Sequence, residues 1–247
     1  MIFLVNGTNR AQFAADLAQM HRHRKTVFVD RAGWKIPVVA DQEIDAYDSE
    51  DTMYLLGKGE PEGPLLASVR LLPTMRPHLM ADLLARVCQG GPPRGATIWE
   101  VSRFCTTPEL PDRGVRLALL WETICGLLET ALLYEIQQVI FIANRALLSL
   151  TLNCGWEARI LGESRCDGDD QVTAVAAEVS TAGLRQVRQR HGVPVPVLRF
   201  HALTVVCAPH QGGSSSLTAC AETLPCGTNA VGRLGRSPLP IGGHASG

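Results

Sequence analysis

Over residues 114–135, Leu117, Leu120, Trp121, Ile124, Leu127, Leu128 and Leu132 recur at steps of one, three or four. That spacing puts them on one side of a helix as a wide apolar stripe, which a neighbouring element must cover. Short apolar runs supply the cover. Residues 1–5, 52–58, 65–72, 97–104, 138–143, 156–162, 171–179 and 196–207 read as strands. Further helices are expected from Thr8 or Asn9 to Arg24, where Phe13, Leu17 and Met20 keep helical spacing, and over 78–88, 146–152 and 181–190. Strands alternating with helices, with hairpin-like neighbours among them, imply a mixed sheet between helix layers. Residues 30–51 carry Gly, Pro and acids without a period and read as a long loop, a kind of segment more often functional than not.

Composition bounds the function classes. The chain of 247 residues is 46% hydrophobic and 19% charged, enough apolar material for a core. A net charge of −1 gives no general attraction for nucleic acid. No stretch is long enough for a membrane span, and the apolar start lacks the length and basic flank of an export signal, so a cytoplasmic protein is expected. Its eight cysteines include no Cys-x-x-Cys pair, which favours reduced thiols over disulfides or structural zinc, with Cys125 and Cys207 as small core residues. From residue 208 the composition turns to Gly, Ser and Pro with almost no charge. One domain over 1–207 and a flexible tail over 208–247 are expected.

Two segments stand apart from this core pattern: Arg24 to Trp34, with Phe28 and Arg31, and Trp99 to Phe104, with Glu100, Ser102 and Arg103. Between them lie Glu43, Asp45, Asp48 and Arg70. Ordinary cores do not need so many charged and aromatic groups in short stretches. Arginine forks suit carboxylates, acids complement cations, and rings attract a cation to their faces. The set is read as a pocket for a ligand with both signs of charge and an aromatic ring. Each residue alone also has an ordinary reading, as ion pair, solvated turn or packing. A calcium loop is disfavoured because no twelve-residue ligand pattern is present.

The ordered motifs are Arg24-x3-Phe28, Arg31-Ala32-Gly33-Trp34, Glu43-Ile-Asp45-Ala-Tyr47-Asp48, Val69-Arg70-Leu-Leu-Pro-Thr74 and Glu100-Val-Ser102-Arg103-Phe104. Together they resemble the acyl-homoserine lactone synthases of bacterial quorum sensing. Ala32 stands where that pattern has Leu, and the third motif is one residue short between its acid and its ring. The resemblance implies an acetyltransferase-like α/β fold, three-layer α/β/α with a mixed, mostly antiparallel central sheet. It also implies an acyltransferase that joins an acyl group, carried by acyl carrier protein or coenzyme A, to the amine of S-adenosylmethionine. Lactonisation then releases methylthioadenosine. S-adenosylmethionine is a substrate, so no cofactor is implied.

The resemblance assigns Glu100, Arg24, Asp45, Asp48, Arg70 and Arg103 to the catalytic set. Phe28, Trp34, Glu43, Asp45, Asp48 and Arg103 are assigned to S-adenosylmethionine. Glu100 is the candidate proton acceptor for the amine, with a structural or positioning carboxylate as the alternative. Backbone N–H groups of 101–105 are the candidate oxyanion donors. Leu117, Trp121, Ile140, Phe141, Ala146 and Leu147 are candidates for the acyl pocket, each equally readable as core. Phe141 stands where relatives that prefer 3-oxo chains carry Thr, so no 3-oxo requirement is expected. On a regular strand Glu100 and Arg103 point to opposite faces, so a bulge or a splay of central strands is expected at 97–104. Arg22, His23 and Lys25, or Arg185, Arg188 and Arg190, with Arg145, are candidate docking patches for an acidic carrier protein. Replacing Arg24, Asp48 or Arg103 by Ala is expected to abolish product with the fold intact. Two rivals remain: a general acyl-CoA N-acyltransferase of the same fold, whose pyrophosphate loop does not match residues 109–115, and a non-catalytic sensor of S-adenosylmethionine or acyl thioester.

Overall fold

The computed structural model describes residues 1–110, 112–167 and 170–200; the expected tail and the end of the expected last strand lie outside them. In chain order, β1 is Ile2–Val5, a 3-10 turn spans Arg10–Phe13, and α1 is Ala14–Arg24, continuing as a π-helical turn over Lys25–Arg31. β2 (Val38–Val39), β3 (Gln42–Glu43), β4 (Met53–Lys58), β5 (Leu65–Pro73), α2 (Leu79–Asp82) and β6 (Ile98–Thr106) follow. Then come α3 (Arg113–Leu133), β7 (Gln138–Asn144), α4 (Arg145–Leu152), β8 (Ala158–Ile160), β9 (Arg165–Asp167), β10 (Asp170–Glu178), α5 (Thr181–His191) and β11 (Leu198–Arg199).

Nine strands form one sheet in the order β11-β1-β4-β5-β6-β7-β10-β8, with β9 also on β10. Only β1/β11 and β6/β7 are parallel, so the sheet is mixed and mostly antiparallel, as expected. Ile2, Leu55, Val69, Leu71, Phe141 and Val175 share a core with Leu120, Ile124 and Leu128 of α3 and Leu184 and Val187 of α5. On the opposite face Phe3, Val5, Tyr54 and Leu56 pack against Leu17 and Met20 of α1. The result is the three-layer acetyltransferase-like arrangement. Among the described residues no helix is long and apolar enough to cross a membrane.

The α3 stripe sits close to β1. A Cβ at Gly126 would lie 2.9 Å from Ile2 Cγ1 and Cγ2. Ala is worth about 1 kcal/mol more than Gly inside a helix, but overpacking a tight contact costs about 1–3 kcal/mol. Gly126→Ala is therefore expected to lower the urea midpoint with an unchanged m-value, a net loss of about 1 kcal/mol; a raised midpoint would contradict this packing.

The sequence misplaced some elements. The helix expected over 78–88 is α2 plus a 3-10 turn at Ala85–Val87. The strand expected over 156–162 shortens to β8, because Trp156 turns into the core after Gly155 at φ 126°. β9 is polar and three residues long, so it carries no alternation to read. The loop over 30–51 holds the β2/β3 hairpin, turned by Ala40 and Asp41 at φ 48° and 64°. That left-handed geometry is usually signalled by Asn-Gly, which is missing here.

Two irregularities at the centre of the sheet position the site. Arg70 pairs with Ser102 and Ser68 with Cys105, so β6 holds one residue more than β5 in that interval. Arg103 takes the strain, with φ 55°, a left-handed value uncommon for a residue with a side chain. Beside it, β6 and β7 pair only from Ile98/Gln138 to Val101/Phe141. Beyond that β6 pairs only with β5 and β7 only with β10, so the two strands part. Both the expected bulge and the expected splay are present.

Candidate active site

The bulge returns Arg103 to the face of the sheet that carries Glu100 and Arg70, from which a regular strand would turn it away. Arg103 turns toward Glu43 and Asp45, and Phe104 lines a cavity on the α3 side. On the α1 side, Arg70 lies between Tyr54 on β4 and Ser102 on β6. The helix leaving α1 carries Arg24 and, four residues later, Phe28 toward the same place; π turns of this kind often mark functional sites.

Three arginines and three carboxylates form one connected, charge-balanced network. Arg24 grips Asp48 with both terminal nitrogens, at 2.9 and 3.0 Å, and bonds to Glu43 through Nε. Arg70 Nη1 reaches Asp45 at 2.6 Å and Asp48 at 3.0 Å. Arg103 Nη2 reaches Glu43 and Asp45, each at 3.0 Å. Tyr54 donates its hydroxyl to Asp48 Oδ1 at 2.8 Å. Arg24 and Glu43 are wholly buried. Burial opposes ionisation of Asp48 and Glu43, but their bonds to Arg24 outweigh it and hold both well below the usual carboxylate range. One group is left over: Arg70 Nη2 is buried without a hydrogen-bond partner, although such a donor costs about 1–3 kcal/mol when unpaired.

Glu100 lies on the face that carries Arg70 but outside this network. Its Oε2 accepts the Met80 backbone N–H at 2.9 Å, and no described residue bonds to Oε1. Burial, to 1% exposure, pushes its carboxyl up to about 7 against the pull of Met80 N–H and the nearby Arg70 and Arg103. It can therefore hold or release a proton near neutrality, which Glu43 and Asp48 cannot. Tyr47, beneath Arg70 at 5.7 Å, is pushed up to about 12 by burial and by Asp82.

Phe28 and Trp34 stack on each other at 4.8 Å, and the Arg103 guanidinium lies 5.7 and 5.6 Å from their centroids. The cation facing these rings is therefore the protein's own. Phe28 is buried, while Trp34 stays 40% exposed and is the ring with surface left to offer.

An apolar cavity of about 90 Å³ opens where β6 and β7 part, between the sheet, α3 and α4. Phe141 and Leu147 line it, with Val69, Ser102, Phe104, Thr123, Thr151 and Trp156. Leu117, Trp121, Ile140 and Ala146 do not. Strand alternation turns Ile140 to the other face, among Met80, Val87 and Ala174; Trp121 stacks on His191 at 3.7 Å; Leu117 packs against the core; and Ala146 is exposed. Ser102 joins the two compartments, because its Oγ accepts Arg70 Nε at 3.1 Å while the residue lines the cavity. Sequence reading missed Tyr54 and Trp156 as site residues. Both sit in apolar surroundings, where only the fold shows what the side chain touches.

The expected basic patches are uneven. Arg22, Arg145, Arg185 and Arg190 are exposed, but His23 is buried and Lys25 pairs with Asp30 and Asp41 at 3.0 and 3.1 Å. Arg188 pairs with Glu129 at 2.7 Å.

Comparison with known proteins adds a lineage to this geometry. The sequence profile of the autoinducer synthase family matches residues 9–187. An acyl-homoserine-lactone synthase of Ralstonia solanacearum is 31% identical over 207 residues, 79% of this chain and 98% of the relative. Among solved structures, the CoA-dependent acyl-homoserine lactone synthase MesI is 29% identical with a TM-score of 0.71, covering 80% of this chain and 98% of its own. The CoA-dependent acyl-homoserine lactone synthase BjaI, solved with SAM and isopentyl-CoA, is 26% identical with a TM-score of 0.72, covering 81% and 93%.

Proposed function

The chain belongs to the autoinducer synthase family and is an acyl-homoserine-lactone synthase, and on that premise we propose how its residues divide the reaction. S-adenosylmethionine lies on the α1 side, its adenine against Trp34 and its methionyl carboxylate on Arg70, whose buried Nη2 is a donor in reserve. The acyl thioester enters through the gap between β6 and β7, with its chain in the apolar cavity. The junction at Ser102, hydrogen-bonded to one compartment and lining the other, is the observation that carries this reading.

Glu100 is the general base. The free amine has an ordinary pKa of about 7.7–8.0, so a carboxylate at about 7 is matched to remove its proton. Oε1 takes the proton, directly or through one water, while Met80 holds Oε2. The amine then attacks the thioester carbonyl; the C–N bond forms, the C–S bond breaks, and the thiol departs with a proton. Backbone N–H groups at the Arg103–Phe104 bulge are the candidate donors to the oxyanion. In the second step the methionyl carboxylate attacks its own γ-carbon, the bond to the sulfonium breaks, and methylthioadenosine leaves neutral. The Arg24–Glu43–Asp48–Arg70–Asp45–Arg103 network needs no proton transfer and serves as a rigid frame.

We take the donor to be an acyl-CoA, a reading that the CoA-dependent relatives support, and the location to be the cytoplasm, where both substrates are made. Mass spectrometry of the chain incubated with S-adenosylmethionine and an acyl-CoA is expected to show lactone and methylthioadenosine in equal amounts. Acyl-S-adenosylmethionine or a linear amide without lactone would favour a general N-acyltransferase. Binding without methylthioadenosine release would favour a sensor. Product only from an acyl carrier protein thioester would move the donor to that carrier.

A further inference from the structure

On the reading that the cavity behind the β6/β7 gap receives the acyl chain, we propose that the donor carries a short acyl group, and that Phe141 and Trp156 set this limit. The cavity holds about 90 Å³. An apolar cavity known to admit benzene is larger, about 150 Å³, so this one suits a short chain and not a phenyl ring.

Two rings close the space. Phe141, from β7, and Trp156, from the turn after α4, stand 5.8 Å apart and tilted by 37°, both buried. Trp156 is fixed by its Nε1–H bond to the Thr151 carbonyl at 2.7 Å, so it cannot swing aside without losing that bond. The polar groups of the helical walls are committed too. Thr123 donates its hydroxyl to Leu119 O at 2.7 Å, and Thr151 donates to Leu147 O at 2.9 Å. Close-packed walls of this kind resist one methylene too many.

The test is a donor series on the full chain with S-adenosylmethionine: butanoyl, pentanoyl, hexanoyl, octanoyl, decanoyl, 3-oxohexanoyl and phenylacetyl, each as CoA and as acyl carrier protein thioester. Lactone and methylthioadenosine are both measured. We expect kcat/KM to peak at hexanoyl or shorter and to fall roughly tenfold or more by octanoyl, the discrimination a tight apolar pocket gives. Phe141→Ala is expected to move the peak toward longer chains. Leu147→Ala, on the opposite wall, should do so to a smaller extent and keeps the test decisive if the first variant does not fold. A peak at octanoyl or beyond, a preference for phenylacetyl, or a peak unmoved by Leu147→Ala would overturn the size limit while leaving the reaction standing. Neither lactone nor methylthioadenosine from any donor would overturn the reaction itself and this inference with it.

Discussion

Arg24→Ala is expected to abolish lactone formation and also to lower the melting temperature by roughly 10 °C, the shift that a loss of about 3–5 kcal/mol gives in a domain of this size. The sequence alone led to an inert fold and a dead site. The structure changes that expectation, because Arg24 is wholly buried and holds both Glu43 and Asp48. Removing it leaves three buried carboxylates against two arginines, Asp48 keeping Arg70 and Tyr54 and Glu43 keeping Arg103, and an uncompensated buried charge is far more costly than the paired one was worth. Asp48→Ala and Arg103→Ala should show the same pairing of lost activity and lost stability, since Asp48 meets Arg24, Arg70 and Tyr54, and Arg103 meets Glu43 and Asp45. Differential scanning calorimetry of these variants, with the Arg24→Ala/Asp48→Ala double variant, decides the point. Coupling predicts that the double variant loses clearly less than the sum of the two single losses. Wild-type melting for Arg24→Ala, or simple additivity, would show that the network does not act as a unit.

Glu100→Gln is expected to lower kcat by about 10²–10⁴, the usual contribution of a positioned general base, and to remove a rise of activity with pH around 7 that wild type should show. The sign follows from burial: Glu100 stays protonated until about pH 7, so the base form grows as pH rises through that value. Stability moves the other way. The folded protein keeps a proton that the unfolded chain releases near the ordinary 4.5, so wild type loses stability as pH rises from there through about 7, by about 3 kcal/mol in all. The amide of Glu100→Gln carries no charge, so this variant should be more stable than wild type at pH 8 and similar to it at pH 5. Urea titrations at both values, beside rate profiles in the same buffers, test both halves. A variant with wild-type kcat, or one less stable than wild type at pH 8, would remove Glu100 from the role of buried base.

Much of the fold was legible in the residues. The α3 stripe at Leu117, Leu120, Ile124 and Leu128 and the strands at 52–58 and 65–72 announced themselves because a repeating apolar face has one way to be buried. The network members were legible as a set through their ordered motifs, and the family profile spans them. The acyl wall was not legible. Phe141 and Ile140 are adjacent and equally apolar, and only the pairing of β7 with β6 and β10 decides that one faces the cavity and the other the opposite core.

By itself, the sequence determined which groups are present: three arginines, three acids, a stacking pair and one glutamate, in an order that commits the chain to this family. Tertiary structure decided what each group is at neutral pH. Asp48 and Glu43 are locked as anions because Arg24 lies against both, while Glu100, buried against the Met80 N–H and outside the network, keeps a proton within reach of pH 7. Charge state depends on distance and burial, which are properties of the packed chain and are set only when the left-handed turn at Arg103 opens the sheet.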